Sequence, residues 1–318
     1  MKTFILRRLL HTTLILLAAS LLIFLLYALM PGDFITGNVK LTDEREAELR
    51  EIYGLSDPVL ERYAVWMGNA LQGDFGYSLQ QQKPVLTLFN EYIGSSFLLA
   101  ITSTILTWLI AVIVGVISAY KQYSWFDTII VIFVFAAMSI PSFFIGLFFI
   151  KIFAVDLKWL PPGGMITTGS NATGFAYVKE VLHHMILPVA VMTLLGVGSL
   201  TRYFRSNVLD VIRQDYIRTA RAKGLKERTV LFRHALRNAM LPAITMIGFE
   251  LPALFGGSLI IEKIFNWPGI GNLFMQSFTV RDYPLLMGLT MLIAIFTVIG
   301  TLFSDLMYRV ADPRVKLQ

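Results

Sequence analysis

Acid–base and metal chemistry needs His, Cys and carboxylate side chains at fixed spacings, and this chain of 318 residues offers few of them. It has no cysteine, which removes thiolate nucleophiles, thiolate metal sites and disulfides. The four histidines are His11, His183, His184 and His234. His183–His184 sits at the edge of an apolar run, where a structural or interfacial role outweighs metal binding. His234 lies among basic residues, with no second ligand at metal-site spacing. A Gly-rich loop ending in Lys-Ser/Thr is missing, so the chain has no phosphate cradle and is not expected to hydrolyse ATP. No nucleophile–base set and no paired carboxylates on one helical face appear. Glu250 is the one acid deep inside an apolar block. A lone carboxylate in lipid costs on the order of 3 kcal/mol by insertion scales, so it must face protein or water. Either a neighbouring helix satisfies it, or it lines a polar path where it would favour cationic groups such as a free amine.

The elements that would position such residues are membrane helices. The chain is 56% hydrophobic and only 15% charged, with a mean hydropathy of +0.66, whereas a soluble domain carries about a quarter charged residues. Its apolar residues come in blocks of about 20, the length a helix needs to cross a bilayer. Six spans are expected, at about 9–30, 97–119, 128–152, 184–204, 240–262 and 284–308. The first follows Arg7-Arg8, but its apolar run is too long for a signal peptide and Met30-Pro31-Gly32-Asp33 is a poor cleavage site. With the N-terminus inside, cytoplasmic segments hold 17 of the 27 Lys and Arg, the arrangement the positive-inside rule favours. The net charge of +6 is then an orientation signal, and nucleic acid need not be invoked.

The spacing divides the chain into an N-terminal membrane helix (1–30), an external helical segment (31–95) and a five-helix core (96–318) with a cytoplasmic loop at 205–239. In the external segment, Thr42-Asp43 can cap a helix over Glu44–Ile52, and Asp57-Pro58 can start another over Val59–Leu71. Gly73-Asp74-Phe75-Gly76 then makes a turn. Pro141 and Pro252, the latter followed by Gly256-Gly257, predict kinks and close helix approach. The external stretch from Lys263 to Pro284 reads as a folded turn that dips partly into the membrane.

Between Arg202 and Arg237 there are ten Lys or Arg residues and three acids. Val208, Leu209, Ile212, Tyr216 and Ile217 recur at helical spacing, with Arg205, Arg213 and Lys223 opposite, as one helix continuing inward from the fourth span. Gly224 ends it, and a second basic helix runs from Glu227 to Arg237 before Leu241-Pro242. Contact with lipid headgroups explains the charge. It does not explain the helix–Gly–helix order or the small residues Ala220 and Ala222, which suit docking to a protein.

These residues resemble the membrane permeases of binding-protein-dependent ABC importers, in the dipeptide/oligopeptide group and its B-type subunit. The resemblance runs from Arg7-Arg8 and Met30–Asp33 through Gly73–Gly76 and Thr201-Arg202. It continues with Asp215-Tyr216-Ile217-Arg218-Thr219-Ala220-Arg221-Ala222-Lys223-Gly224 and His234-Ala235-Leu236-Arg237-Asn238, then Trp267–Gly271, Arg281–Pro284 and Asp312-Pro313-Arg314. It implies an all-α type I importer permease with six transmembrane helices, both termini inside, an external helical cap and a cytoplasmic coupling helix. Arg218, Thr219, Ala220, Arg221, Ala222, Lys223, Gly224, Leu225 and Lys226 would couple to the ATPase. Arg218-Thr219-Ala220 stands where the wider importer signature has Glu-Ala-Ala, and the distance to Leu241-Pro242 is longer, as in peptide importers. Glu250 departs from the uncharged residue expected there. The implied partners are a second permease subunit, two ATP-binding subunits that bind ATP-Mg, an external substrate-binding protein, a peptide and membrane lipid. The permease itself would hold no cofactor or metal, and the implied location is the bacterial inner membrane. A secondary transporter or channel independent of ATP, and an importer of a nickel complex or other small solute, stand as alternatives.

Overall fold

The computed structural model describes residues 2–32, 35, 42–52, 57–240, 246, 250, 254 and 258–311. Its helices are α1 (Lys2–Ala28), α2 (Asp43–Ile52), α3 (Val59–Leu71), α4 (Val85–Tyr120), α5 (Trp125–Ser139), α6 (Ser142–Phe149) and α7 (Gly174–Ile212). These are followed by α8 (Asp215–Ala222), α9 (Glu227–Thr229), α10 (Leu236–Ala239), α11 (Leu259–Ile264), α12 (Ile270–Thr279) and α13 (Tyr283–Ala311). Wider π-helical turns follow α6 (Ile150–Asp156) and α9 (Val230–Ala235). The strands β1 (Tyr77–Ser78) and β2 (Lys83–Pro84) pair antiparallel, Tyr77 opposite Pro84.

Among the described residues, four helices are long and apolar enough to cross a bilayer: Leu10–Ala28, Val85–Tyr120, Gly174–Ile212 and Tyr283–Ser304. The stretch α5–α6 makes a fifth if it is taken as one span. The expected fifth span at 240–262, with Leu241-Pro242, Pro252 and Gly256-Gly257, falls mostly outside the described residues, as do Asp33 and Asp312-Pro313-Arg314. Two helices outrun their expected limits. α4 has 36 residues and α7 has 39, about 54 and 58 Å at 1.5 Å per residue. At Pro141 the kink is a corner: the two helices meet at 102°. Ile140 is extended there (φ −89°, ψ 130°), because the residue before a proline is pushed out of the helical region.

The described chain gathers into two compact units, Met1–Ser96 with Leu251–Leu259 and Pro268–Gln318, and Phe97–Glu250 with Ile260–Trp267. In the first, Phe24, Trp66 and Met291 bury one another, and the Tyr27 hydroxyl lies 3.3 Å from Thr290 Oγ1. Val85, Leu88 and Phe89 pack on Ile270, Leu273, Leu285 and Leu289. Arg45 N–H donates to Thr42 Oγ1 (3.4 Å), so α2 is capped as expected. In α3 the cap is Pro58, one residue later than Asp57, and its carbonyl takes the N–H groups of Glu61 and Arg62. The turn expected at Gly73–Gly76 leads into the short hairpin, which sequence spacing had not suggested. Within the 263–284 stretch lies a helix, α12, whose first N–H, that of Ile270, donates to Ser96 Oγ (2.8 Å). Asp282, fully buried, accepts from Ser78 Oγ (2.6 Å), the Gln80 N–H (3.1 Å) and the Leu285 N–H (3.4 Å).

In the second unit α7 is the axis. Ile145 of α6, Ile261 and Phe265 pack on Leu187 and Val191, and Leu99 and Trp267 pack on Met185 and Val189. Lower down, α4 and α7 touch backbone to backbone. A Cβ at Gly115 would stand 2.8 Å from Phe204 Cβ and 3.0 Å from the Thr201 carbonyl oxygen, so a small residue is what permits the approach. Beside this contact, Asp127 joins three helices. Its carboxylate takes both Nε and Nη2 of Arg205 at 2.7 Å, the Tyr123 N–H at 3.0 Å and the Ser118 hydroxyl. Ser124 caps α5 by accepting from the Asp127 N–H.

Candidate functional site

The basic loop folds as helix, glycine, helix. The expected single helix from the fourth span is two, because α7 stops at Ile212 and α8 starts at Asp215 after an extended Gln214 (φ −74°, ψ 149°). At the other end, Gly224 adopts φ +74°. Its N–H donates to the Arg221 carbonyl (2.9 Å) and that of Leu225 to the Ala220 carbonyl (3.4 Å). This is a Schellman closure, in which the left-handed residue is preferably glycine.

An apolar seat holds the turn. Ile217 and Ala220 are buried with Val230 and Ala235, against Val211 and Ile212 at the end of α7. Ala220 therefore faces its own chain, while Ala222 is exposed. The other residues of the turn, Arg218, Thr219, Arg221, Lys223, Gly224, Leu225 and Lys226, are also exposed. Arg221 closes the loop on itself by donating to both oxygens of Glu227, at 2.7 and 3.2 Å, and this carboxylate holds its guanidinium even more firmly protonated than usual. Arg218 lies 3.4 Å from Asp215, and Asn238 donates to the Tyr216 hydroxyl (3.0 Å). The result is a short helix presenting Arg218, Ala222, Lys223 and Lys226 outward on a fixed base. Such a knob can fit a groove of a protein partner.

Arg205, expected on a polar cytoplasmic face, instead turns inward to Asp127 and is 23% exposed. Spacing along α7 could not reveal a partner on α5. The pattern Ser124-Trp125-Phe126-Asp127, a capping box with aspartate in place of glutamate, marks the start of α5 but not its link to α7.

Glu250 is helical and half-buried, and its neighbours at 247–249 and 251–253 lie outside the described residues. His184 is buried. Its Nδ1 lies 3.0 Å from the Gly163 carbonyl oxygen and its Nε2 3.3 Å from Thr167 Oγ1, which ties the 157–173 loop to α7. Among the described residues no three His, Asp or Glu side chains come together as a metal site needs.

Long apolar helices carrying one seated, basic, glycine-closed turn define a polytopic membrane protein with a docking surface on its polar loop. Comparison with known proteins makes that class specific. A family model of binding-protein-dependent transport system inner membrane components matches residues 111–317, and the model of its N-terminal region matches residues 1–100. The chain belongs to this family. It is 42% identical to the oligopeptide transport system permease protein AppB of Bacillus subtilis, over 99% of this chain and all of that one. It is 34% identical to the dipeptide transport system permease protein DppB of Alkalihalophilus pseudofirmus, over 99% of this chain and all of that one. A chain of the MetNI methionine ABC transporter, in an inward-facing crystal form, superposes with a TM-score of 0.56 at 16% identity. That match covers 71% of this chain and 97% of the other. The fold is that of a type I ABC importer permease.

Proposed function

We propose that the chain is one permease subunit of an ATP-driven peptide importer in a bacterial inner membrane. It forms half of a translocation pathway with a second, different permease, and an external binding protein delivers the peptide. Two ATP-binding subunits hold ATP-Mg on the cytoplasmic side and grip the turn from Arg218 to Lys226. Their closure moves the membrane helices as rigid bodies in alternating access.

The observation that carries this reading is the α8 turn: its apolar side is fixed to the end of α7, and its outer side is exposed and basic. A force applied there enters the helix bundle directly. The names of full-length relatives support peptide as the cargo. Glu250 is assigned to the pathway, where its charge favours the free amine of a peptide. The test is uptake of labelled peptide into proteoliposomes holding the complete complex. Gly224→Pro should abolish uptake while membrane insertion is unchanged, since proline cannot adopt the φ of +74° found there. Normal uptake in that variant would overturn the assignment of the turn. Glu250→Gln should weaken uptake of cationic peptides most, and equal uptake of peptides of every charge would remove Glu250 from the pathway.

A further inference from the structure

Force delivered at α8 must spread beyond α7 if more than one helix is to move. Two contacts near the inner end of α7 are placed to spread it. The Gly115 contact brings α4 against Thr201, Phe204 and Arg205. The second contact is the carboxylate of Asp127, a side chain 5% exposed, held by the two-pronged Arg205 donor set. Arg205 stands seven residues before the end of α7 at Ile212, about 10 Å along the helix. Between them, Val208, Val211 and Ile212 are committed to the packing that carries α10 and the α8 seat.

We infer that Asp127 and Arg205 are positioning residues for transport: they form a strut that makes α5 and the α4–α5 turn move with α7 when the coupling turn is displaced. Three features favour a strut over a charge that merely needed neutralising. The guanidinium fork fixes direction as well as distance, because two parallel N–H···O bonds resist rotation. Both remaining acceptor positions are filled by Ser118 and the Tyr123 N–H, so each carboxylate oxygen takes two donors from different segments. The aspartate also sits in the first turn of α5, with its own N–H bonded to the capping Ser124, so displacement of Arg205 acts on the end of that helix and not on a free side chain. Ser118 brings the end of α4 into the same junction.

This inference rests on the importer reading, and its test separates the two. In proteoliposomes containing both permeases and both ATP-binding subunits, peptide uptake and phosphate release are measured together. Asp127→Asn keeps the size and the cap but removes the charge. It should raise the ATP hydrolysed per peptide about tenfold, within the range of ordinary coupling energies, while Asp127→Glu should recover most of the loss. An assembled Asp127→Asn complex with the wild-type ratio would overturn the strut.

A second measurement needs no transport. The chain has no cysteine, so spin labels at exposed Tyr123 and Arg213 would be its only ones. Their distance distribution should be narrow in the otherwise unaltered complex and broaden with Asp127→Asn. Equal widths would overturn the strut. Absence of ATP-driven uptake in the unaltered complex would count against the importer reading, and the label distances would still decide the strut.

Discussion

Asp282 and Asp127 are both buried carboxylates at the first turn of a helix, and one of them is served by a guanidinium. The donors described around Asp282 are neutral: a serine hydroxyl and two backbone N–H groups. Its place at the N-cap of α13 also gives it the favourable end of a helix dipole. Asp127 has the same advantage at α5, together with a hydroxyl and a backbone N–H. Arg205 is the donor that Asp282 has no counterpart for among those described. The difference lies in what each aspartate connects. Asp282 gathers the β1–β2 turn onto the helix it caps, whereas Asp127 ties the α4–α5 junction to α7, the helix that carries the basic turn.

The largest effect should come from breaking the ionic member of the comparison. Asp127→Ala leaves a half-buried guanidinium without its carboxylate. It should destabilise the solubilised permease by about 3 kcal/mol, the low end for breaking a buried pair, because Arg205 keeps some solvent contact. Thermal unfolding in detergent measures it. Asp282→Asn should cost less, about 2 kcal/mol, since one oxygen remains to accept hydrogen bonds and no cation is stranded. If it cost more than Asp127→Ala, the distinction between a connector and a local cap would collapse. Gly115→Ala sharpens the comparison from the packing side. The added methyl meets Phe204 and the Arg205 backbone, so a loss of about 1–2 kcal/mol is expected from overpacking, with no corresponding loss at Asp282. Smallest should be Glu227→Gln, which opens an exposed ion pair worth about 0.2–1 kcal/mol. Its thermal midpoint should scarcely move, and high salt should erase even that difference.

Residues near each other in the chain made the basic turn legible. Helical spacing, the glycine at 224 and the return helix from Glu227 all report local backbone preferences, and the structure keeps them. Residue order from Asp215 to Gly224 carried the family as well. Two features of the same region were not legible. The break at Arg213–Gln214 has neither proline nor glycine to announce it, and the apolar repeat runs straight across it from Val208 to Ile217 because both helices use that side for packing. The Asp127–Arg205 bond spans 78 positions, and nothing local distinguishes it from a basic residue on a cytoplasmic face. Elsewhere, hydropathy located the four long apolar helices among the described residues but understated α4 and α7, whose ends continue as helix past the apolar residues. Pro141 signalled a kink without its angle.

The corner at Pro141 bears on the membrane around the protein. α5 has 15 residues, a rise of about 22 Å, against about 30 Å of hydrocarbon in a typical bilayer. Tyr123 and Trp125, both strongly exposed, suit anchorage at the headgroup level where this helix begins. Measured from that anchor, an upright α5 ends before the opposite interface, and the chain turns through its corner while still among acyl chains. Backbone groups at such a depth must be covered by protein; α6 buries Ile145 against Leu187 and Val191, but Ser139, Ile140 and Pro141 at the corner itself are exposed on this chain, so their cover has to come from outside it. The short stride of α5 ties the depth of this corner to the thickness of the bilayer around it. Bilayers of longer acyl chains would have to compress there, so lipid length is a physical variable that acts on this permease through one proline.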